Sequence, residues 1–350
     1  MNHKSVSGGH EAARVPDSRR LLARSALPVP TIGFGAAAIG NLYAALDDQT
    51  AEAAVDAALR LGIHYFDTAP FYGYGLSEER LGGALASTPA QDVVVSTKVG
   101  RLIVATDTDT QAADDGFVVT GRRAVFDYSR DGILRSFEAS LRRLRRNRVD
   151  ILLLHDVGRQ THRERHEAMF RQALEEALPA MEHLRSCGGC RAIGIGVNEL
   201  EVCLEIMPRF DLDCILLAGR YTLLEQEAGA NVLAEAARRG VGILAGGPFN
   251  SGLLANAAAP GATYNYRAAD ENVLQRARDI YAVCAAEGVD VGAAALQFPL
   301  AHGAVVSVIA GMRSPVEVAS AVARTQAPIP ASLWRKLREA GLLTLGAPTP

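Results

Sequence analysis

The chain has 350 residues, 49% hydrophobic and 21% charged, with 33 glycines and 15 prolines, an ordinary globular composition. A formal net charge of -3 gives no electrostatic reason to expect nucleic acid or a membrane surface as partner. Apolar runs such as Ala282 to Ala286 fall far below the ~18 residues that span a bilayer, and five cysteines without a secretory-type start point to a reducing cytoplasm.

Residues 1–19 are polar, with Lys4, Arg14 and Arg19, and read as a mobile tail. Residues 20–25 and Leu27-Pro28-Val29-Pro30 read as a hairpin leading into a first strand at 31–35. Apolar runs at 62–67, 92–98, 149–155, 191–197, 213–217, 241–245 and 304–310 bring the strands to eight. They are rich in Val, Ile and Leu without clean alternation, as expected when both faces of a parallel sheet are buried.

Helical periodicity fills the gaps. Ala54, Ala57, Ala58 and Leu61 form one stripe; Ile133, Leu134, Phe137, Leu141 and Leu144 form another, with Ser129 placed to cap it. Residues 271–287 and 291–301 read as two helices split by Gly288, so one extra helix precedes the last strand. Helices at about 315–324 and 331–341 follow it. Residues 100–127 lack periodicity and are long for a strand–helix connection. They are expected to form an irregular loop above the barrel, either covering substrate or disordered without function. With no linker or short repeat, the predicted fold class is α/β. It is a single (β/α)8 barrel over residues 20–345, with an N-terminal hairpin and extra C-terminal helices.

Three predicted strands end on ionisable residues: Asp67, Lys98 and His155, with Tyr72 five residues beyond Asp67. Parallel barrels gather such groups at the carboxyl ends of their strands. A free tyrosine, with a pKa of ~10, is a poor base at neutral pH. A lysine cation beside it favours the phenolate, and a carboxylate holds that lysine in place. The expected roles are therefore Tyr72 for proton transfer, Lys98 for lowering its pKa, Asp67 for anchoring Lys98, and His155 for orienting the substrate oxygen. Singly, such residues read as a strand-end cap, a solvated charge and a loop histidine. Lys98 is also compatible with a Schiff-base lyase.

In order, Ile32-Gly33-Phe34-Gly35, Phe66-Asp67-Thr68-Ala69, Phe71-Tyr72-Gly73, Ser96-Thr97-Lys98, Leu153-Leu154-His155-Asp156 and Gly194-Ile195-Gly196-Val197-Asn198 form a specific set. Over residues 20–340 the chain resembles the aldo-keto reductase superfamily, barrel enzymes that bind a nicotinamide cofactor without a Rossmann domain. The resemblance implies a catalytic tetrad of Asp67, Tyr72, Lys98 and His155, with Asn198 on the cofactor carboxamide. It also implies cofactor contacts at Gly35, Ala36, Asp67, Gly246, Pro248, Asn250, Ser251, Gly252, Gly311, Met312, Arg313 and Glu317. Tyr43, Phe71, Tyr72, Arg101, His155 and Phe249 are the expected substrate walls.

Where many members carry a carboxamide-binding glutamine on the sixth strand, this chain has Ala218. Where many stack a tyrosine on the nicotinamide, it has Gly246-Gly247-Pro248-Phe249-Asn250-Ser251-Gly252. These segments, with Val125-Phe126-Asp127-Tyr128-Ser129, are similar to an aldose 1-dehydrogenase subgroup acting on fucose, galactose or arabinose, with a relative that oxidises pyridoxal. The implied activity is NAD(P)-dependent oxidation of an aldose at the anomeric carbon to a lactone. Pyridoxal oxidation, general aldehyde or ketone reduction, and a non-enzymatic regulatory subunit are the alternatives. Members preferring NADP tend to be basic where Glu317 falls. A carboxylate repels a 2'-phosphate and accepts from ribose hydroxyls, which favours NAD. A homodimer stays open.

Other signals are bland. Cys187-Gly188-Gly189-Cys190 lacks a thioredoxin context, and Gly33, Gly35 and Gly40 do not fit the dinucleotide fingerprint. The arginine-rich run 142–148 reads as a solvated helix end complementing the dipole. His162 and His166 lack the adjacent glutamate of a zincin, and no metal is expected.

Overall fold

A computed structural model describes residues 14–107, 115–255, 263–264 and 267–350. Its strands are β1 (Arg19–Leu22), β2 (Leu27–Pro30), β3 (Ile32–Gly35), β4 (Tyr65–Asp67), β5 (Val94–Val99), β6 (Arg101–Ala105) and β7 (Arg122–Phe126). They continue with β8 (Ile151–His155), β9 (Ala192–Val197), β10 (Cys214–Ala218), β11 (Gly242–Gly246), β12 (Thr263–Tyr264), β13 (Arg267–Ala268) and β14 (Val305–Gly311). Eight of them close a barrel in the order β10-β11-β14-β3-β4-β5-β8-β9, every neighbouring pair parallel. These are the eight runs expected from sequence. The second starts at Tyr65 because Gly62, at φ 91°, still belongs to the preceding turn.

The period of two along each strand decides what enters the barrel. Tyr65, Val94, Ile151 and Leu153 point inward and pack with Leu22, Leu27 and Val29 of the β1–β2 hairpin. Phe66, Val95, Leu152 and Leu154 point outward into the layer beneath the helices. Continuing the same alternation brings Asp67, Lys98 and His155 to the inner face at the strand ends. Gly196 on β9 keeps space for the lysine, since a Cβ there would come within 3.2 Å of Lys98 Cε.

Helix Arg130–Leu144 starts where the sequence places it: Ser129 Oγ accepts the Gly132 N–H at 3.0 Å. The arginine run at its far end is more than a solvated surface. Arg143 Nε donates to the buried Glu78 carboxylate at 2.7 Å, and Thr97 Oγ1 donates to its other oxygen at 2.6 Å. This ties two helices to the strand that carries Lys98. The extra helix Glu271–Ala286 precedes Val291–Gln297, and Pro315–Gln326 and Ala331–Glu339 follow β14.

The stretch 100–127 departs from the irregular loop expected. β6 and β7 pair antiparallel, Arg101 opposite Phe126 and Ala105 opposite Arg122. A two-stranded ribbon has no helical period, so its Leu102-Ile103-Val104 and Ala124-Val125-Phe126 runs escaped a search for one. Part of the tip lies outside the described residues; beyond it, Phe117 bridges to Leu42. The tail assigned to 1–19 also lies largely outside them. Of the remainder, the Val15 N–H donates to the Leu61 carbonyl at 2.8 Å and Arg19 opens β1. No described helix is long and apolar enough to cross a membrane.

Candidate active site

Lys98 and Asp67 form a buried ion pair on adjacent strands. The ammonium lies 2.9 and 3.1 Å from the two carboxylate oxygens and donates to the Thr68 carbonyl at 2.9 Å. Asp67 Oδ1 also accepts from Ser96 Oγ at 2.7 Å, and Ser96 Oγ meets Tyr65 OH at 3.1 Å. The carboxylate is thereby fixed from two sides, and the lysine with it.

Tyr72 sits on the turn after β4, half-buried, with its ring centroid 4.6 Å from the Lys98 ammonium. The contact is with the face of the ring, a cation–π arrangement. Burial, then Asp67 and Asp156, push the phenol well above the ordinary tyrosine range, while Arg101 acts the other way. The shorter contacts of Lys98 go to both oxygens of Asp67. Phe117 stacks on Tyr72 with centroids 6.0 Å apart, and His155 meets it edge-on at 6.1 Å.

His155 ends β8, buried, with Nε2 3.4 Å from Asp156 Oδ2. Burial, Arg101 and Lys98 hold its pKa well below the usual value, which favours the neutral ring. Arg101 lies between two aromatic rings, 3.8 Å from the centroid of Phe71 and 4.3 Å from that of Phe126. It pairs with the Asp156 carboxylate.

Beside Asp67 and Tyr72 opens a cavity of about 640 Å³. Of the expected cofactor contacts, Gly35, Asp67, Gly246, Pro248, Asn250, Ser251, Gly252, Gly311, Met312, Arg313 and Glu317 line it, as do Tyr43 and Phe249. Ala36 is fully buried, with its N–H on the Asp67 carbonyl at 2.8 Å and its carbonyl taken by Ser77 Oγ at 2.8 Å, so it has no group to offer. Asn198 follows the end of β9, its main-chain carbonyl accepting from Arg220 Nε at 2.7 Å. Phe71 and Tyr72 both meet His155 edge-on, at 5.9 and 6.1 Å, and Arg101 pairs with Asp156.

Some lining residues went unassigned in the sequence. Ser320, Ala321 and Arg324 share the cavity wall with Glu317; spacings of three, four and seven put all of them on one helix face. Asp156 and Phe117 carried no role either, although Asp156 directly follows His155 in the quoted motif.

A nicotinamide dinucleotide fits this cavity. Its walls are rich in glycine backbone, and Asn250 Oδ1, buried in it, has no hydrogen-bond partner among the described residues. The helix Pro315–Gln326 starts at one side, where anions are favoured.

The Aldo/keto reductase family model matches residues 31–341. This chain belongs to that family. The aldo-keto reductase is 40% identical to D-threo-aldose 1-dehydrogenase of a Pseudomonas species over 94% of this chain and 98% of the relative. It is 38% identical to pyridoxal 4-dehydrogenase of Microbacterium luteolum over 93% and 98%. The holo form of an aldo-keto reductase from Bacillus halodurans superposes with a TM-score of 0.73 at 26% identity, covering 95% of this chain and 98% of that one. The aldo-keto reductase is thus an NAD(P)-dependent oxidoreductase.

His162, one of the paired histidines, faces Tyr128 OH at 3.0 Å, and the five cysteines are free thiols.

Proposed function

We propose that this enzyme oxidises an aldose at its anomeric carbon to a lactone, with Tyr72 as the proton-transfer residue. The observation that carries the reading is the Lys98 ammonium, pinned by Asp67, against the ring of a tyrosine that lines the dinucleotide-sized cavity. A nicotinamide bound there supplies the hydride acceptor. Gly246, Asn250, Ser251, Gly311 and Met312 would hold the cofactor. Tyr72 accepts the hydroxyl proton at its phenolic oxygen. His155, neutral and beside it, orients the sugar oxygen. Phe71 and Phe117 keep water from the reacting atoms.

NAD is the proposed cofactor. Glu317 occupies the first turn of its helix in a capping arrangement: its N–H donates to Ser314 Oγ at 3.3 Å and its carboxylate accepts the Arg313 N–H at 2.9 Å. A 2'-phosphate near this carboxylate would meet its negative charge, whereas a ribose hydroxyl can donate to it.

Pyridoxal oxidation is the second reading. The Phe71 and Phe117 rings beside Tyr72 suit a planar heteroaromatic substrate, and one relative carries that name. Following reduced cofactor at mildly alkaline pH with L-fucose, D-arabinose, L-galactose and pyridoxal, each with NAD and NADP, tests both. An aldose with NAD is expected to give the highest kcat/KM. Turnover of pyridoxal alone transfers the assignment to the second reading, and no turnover of any overturns both.

A further inference from the structure

Arg101 and Asp156 are 55 positions apart in sequence and pair beside His155. Asp156 adopts a left-handed conformation, φ 51°, which a residue with a Cβ rarely takes. Both its main-chain groups are clamped: its N–H donates to the Gly196 carbonyl at 2.9 Å, and its carbonyl lies 3.0 Å from Tyr128 OH. The same tyrosine hydroxyl lies 2.6 Å from the His155 carbonyl. That backbone geometry turns the carboxylate to a place where two cationic candidates can claim it. Oδ2 pairs with Arg101 Nη2 and stands 3.4 Å from His155 Nε2. The arginine is itself immobilised between Phe71 and Phe126, and is 7% exposed.

A carboxylate alone beside a buried histidine stabilises the imidazolium. We propose that Arg101 is a positioning residue: by holding the Asp156 carboxylate in an ion pair, it leaves His155 a neutral imidazole beside Tyr72. The charged and titratable groups around the ring are Lys98 from β5, Arg101 from β6, Asp156 after β8 and Tyr72 after β4. Burial acts first against protonation, Arg101 and Lys98 add to it by charge, and of the four groups only Asp156 favours the imidazolium. Arg101 is thus assigned a task different from touching substrate. The proposal rests on His155 working beside Tyr72, as above.

Histidine side chains labelled with ¹⁵N, in the intact enzyme, report this directly by NMR. The His155 signals are assigned by their loss in His155→Gln. In the wild type they are expected to show a neutral ring with no titration down to the acid limit of the folded state. In Arg101→Met the ring should titrate at clearly higher pH, and Arg101→Met/Asp156→Asn should return it to neutral. A His155 signal that titrates in the ordinary histidine range in the wild type overturns the proposal without any substitution at Arg101. So does an unchanged titration in a folded Arg101→Met variant. The catalytic reading is judged separately, by turnover of His155→Gln.

Discussion

Lys98 meets Tyr72 across the face of its ring, 4.6 Å from the centroid, while both of its shorter ionic contacts go to Asp67. The lysine is therefore bound to the carboxylate and only adjacent to the phenol. That division of contacts separates what each residue is expected to do when changed.

Tyr72→Phe removes one oxygen and leaves the ring to pack on Phe117 and Lys98. Turnover is expected to fall by about 10²–10⁴ in kcat, with the dissociation constant for the dinucleotide, measured by fluorescence titration, nearly unchanged. Retained kcat would remove Tyr72 from the reaction.

Asp67→Ala strands a buried ammonium. The cost is on the order of 3–5 kcal/mol, read as a lower urea midpoint with an unchanged slope. Adding Lys98→Met to that variant removes the orphaned charge and should recover most of the loss. A double variant no more stable than Asp67→Ala would mean that the pair is not what the single substitution breaks.

The pH dependence follows from two directions. The Tyr72 phenol is held well above its ordinary range by burial and two carboxylates, so its proton-accepting form is scarce at neutral pH and grows as pH rises. Alcohol oxidation should climb through the alkaline range, and carbonyl reduction, which needs the phenol protonated, should persist at neutral pH. His155 is held well below its ordinary range, so the profile should show no separate histidine limb between about pH 6 and 7. Initial rates in both directions across pH give the answer; an oxidation rate flat from neutral upward contradicts it.

Glu317→Gln keeps an oxygen for the Arg313 N–H and deletes the charge. The ratio of kcat/KM for NADP over NAD is expected to rise about tenfold, on the order of 1.4 kcal/mol. A wild type that already prefers NADP refutes the role given to this carboxylate.

The local pattern of the chain was enough for the barrel and for three of its inward groups. Each strand is a short apolar run whose alternation is fixed by backbone geometry, so Asp67, Lys98 and His155 had to share the inner face once their strands were parallel neighbours. The Ser129 cap and the helix stripes are likewise properties of neighbouring residues. The ribbon at 101–126 was harder, because its two halves recognise each other across a long tip and neither carries a helical period.

Closure of the barrel decided the rest. Arg101 reads the same in sequence whether it binds substrate or an internal carboxylate, and only the fold brings Asp156 and two aromatic rings around it. Ala36 looked available until Asp67 and Ser77 took its backbone groups. Residue type and spacing set which faces are buried, because that depends on the chain's own geometry. Partner choice and charge state depend on groups far away in sequence and on the water they jointly exclude, and those exist only in the folded molecule.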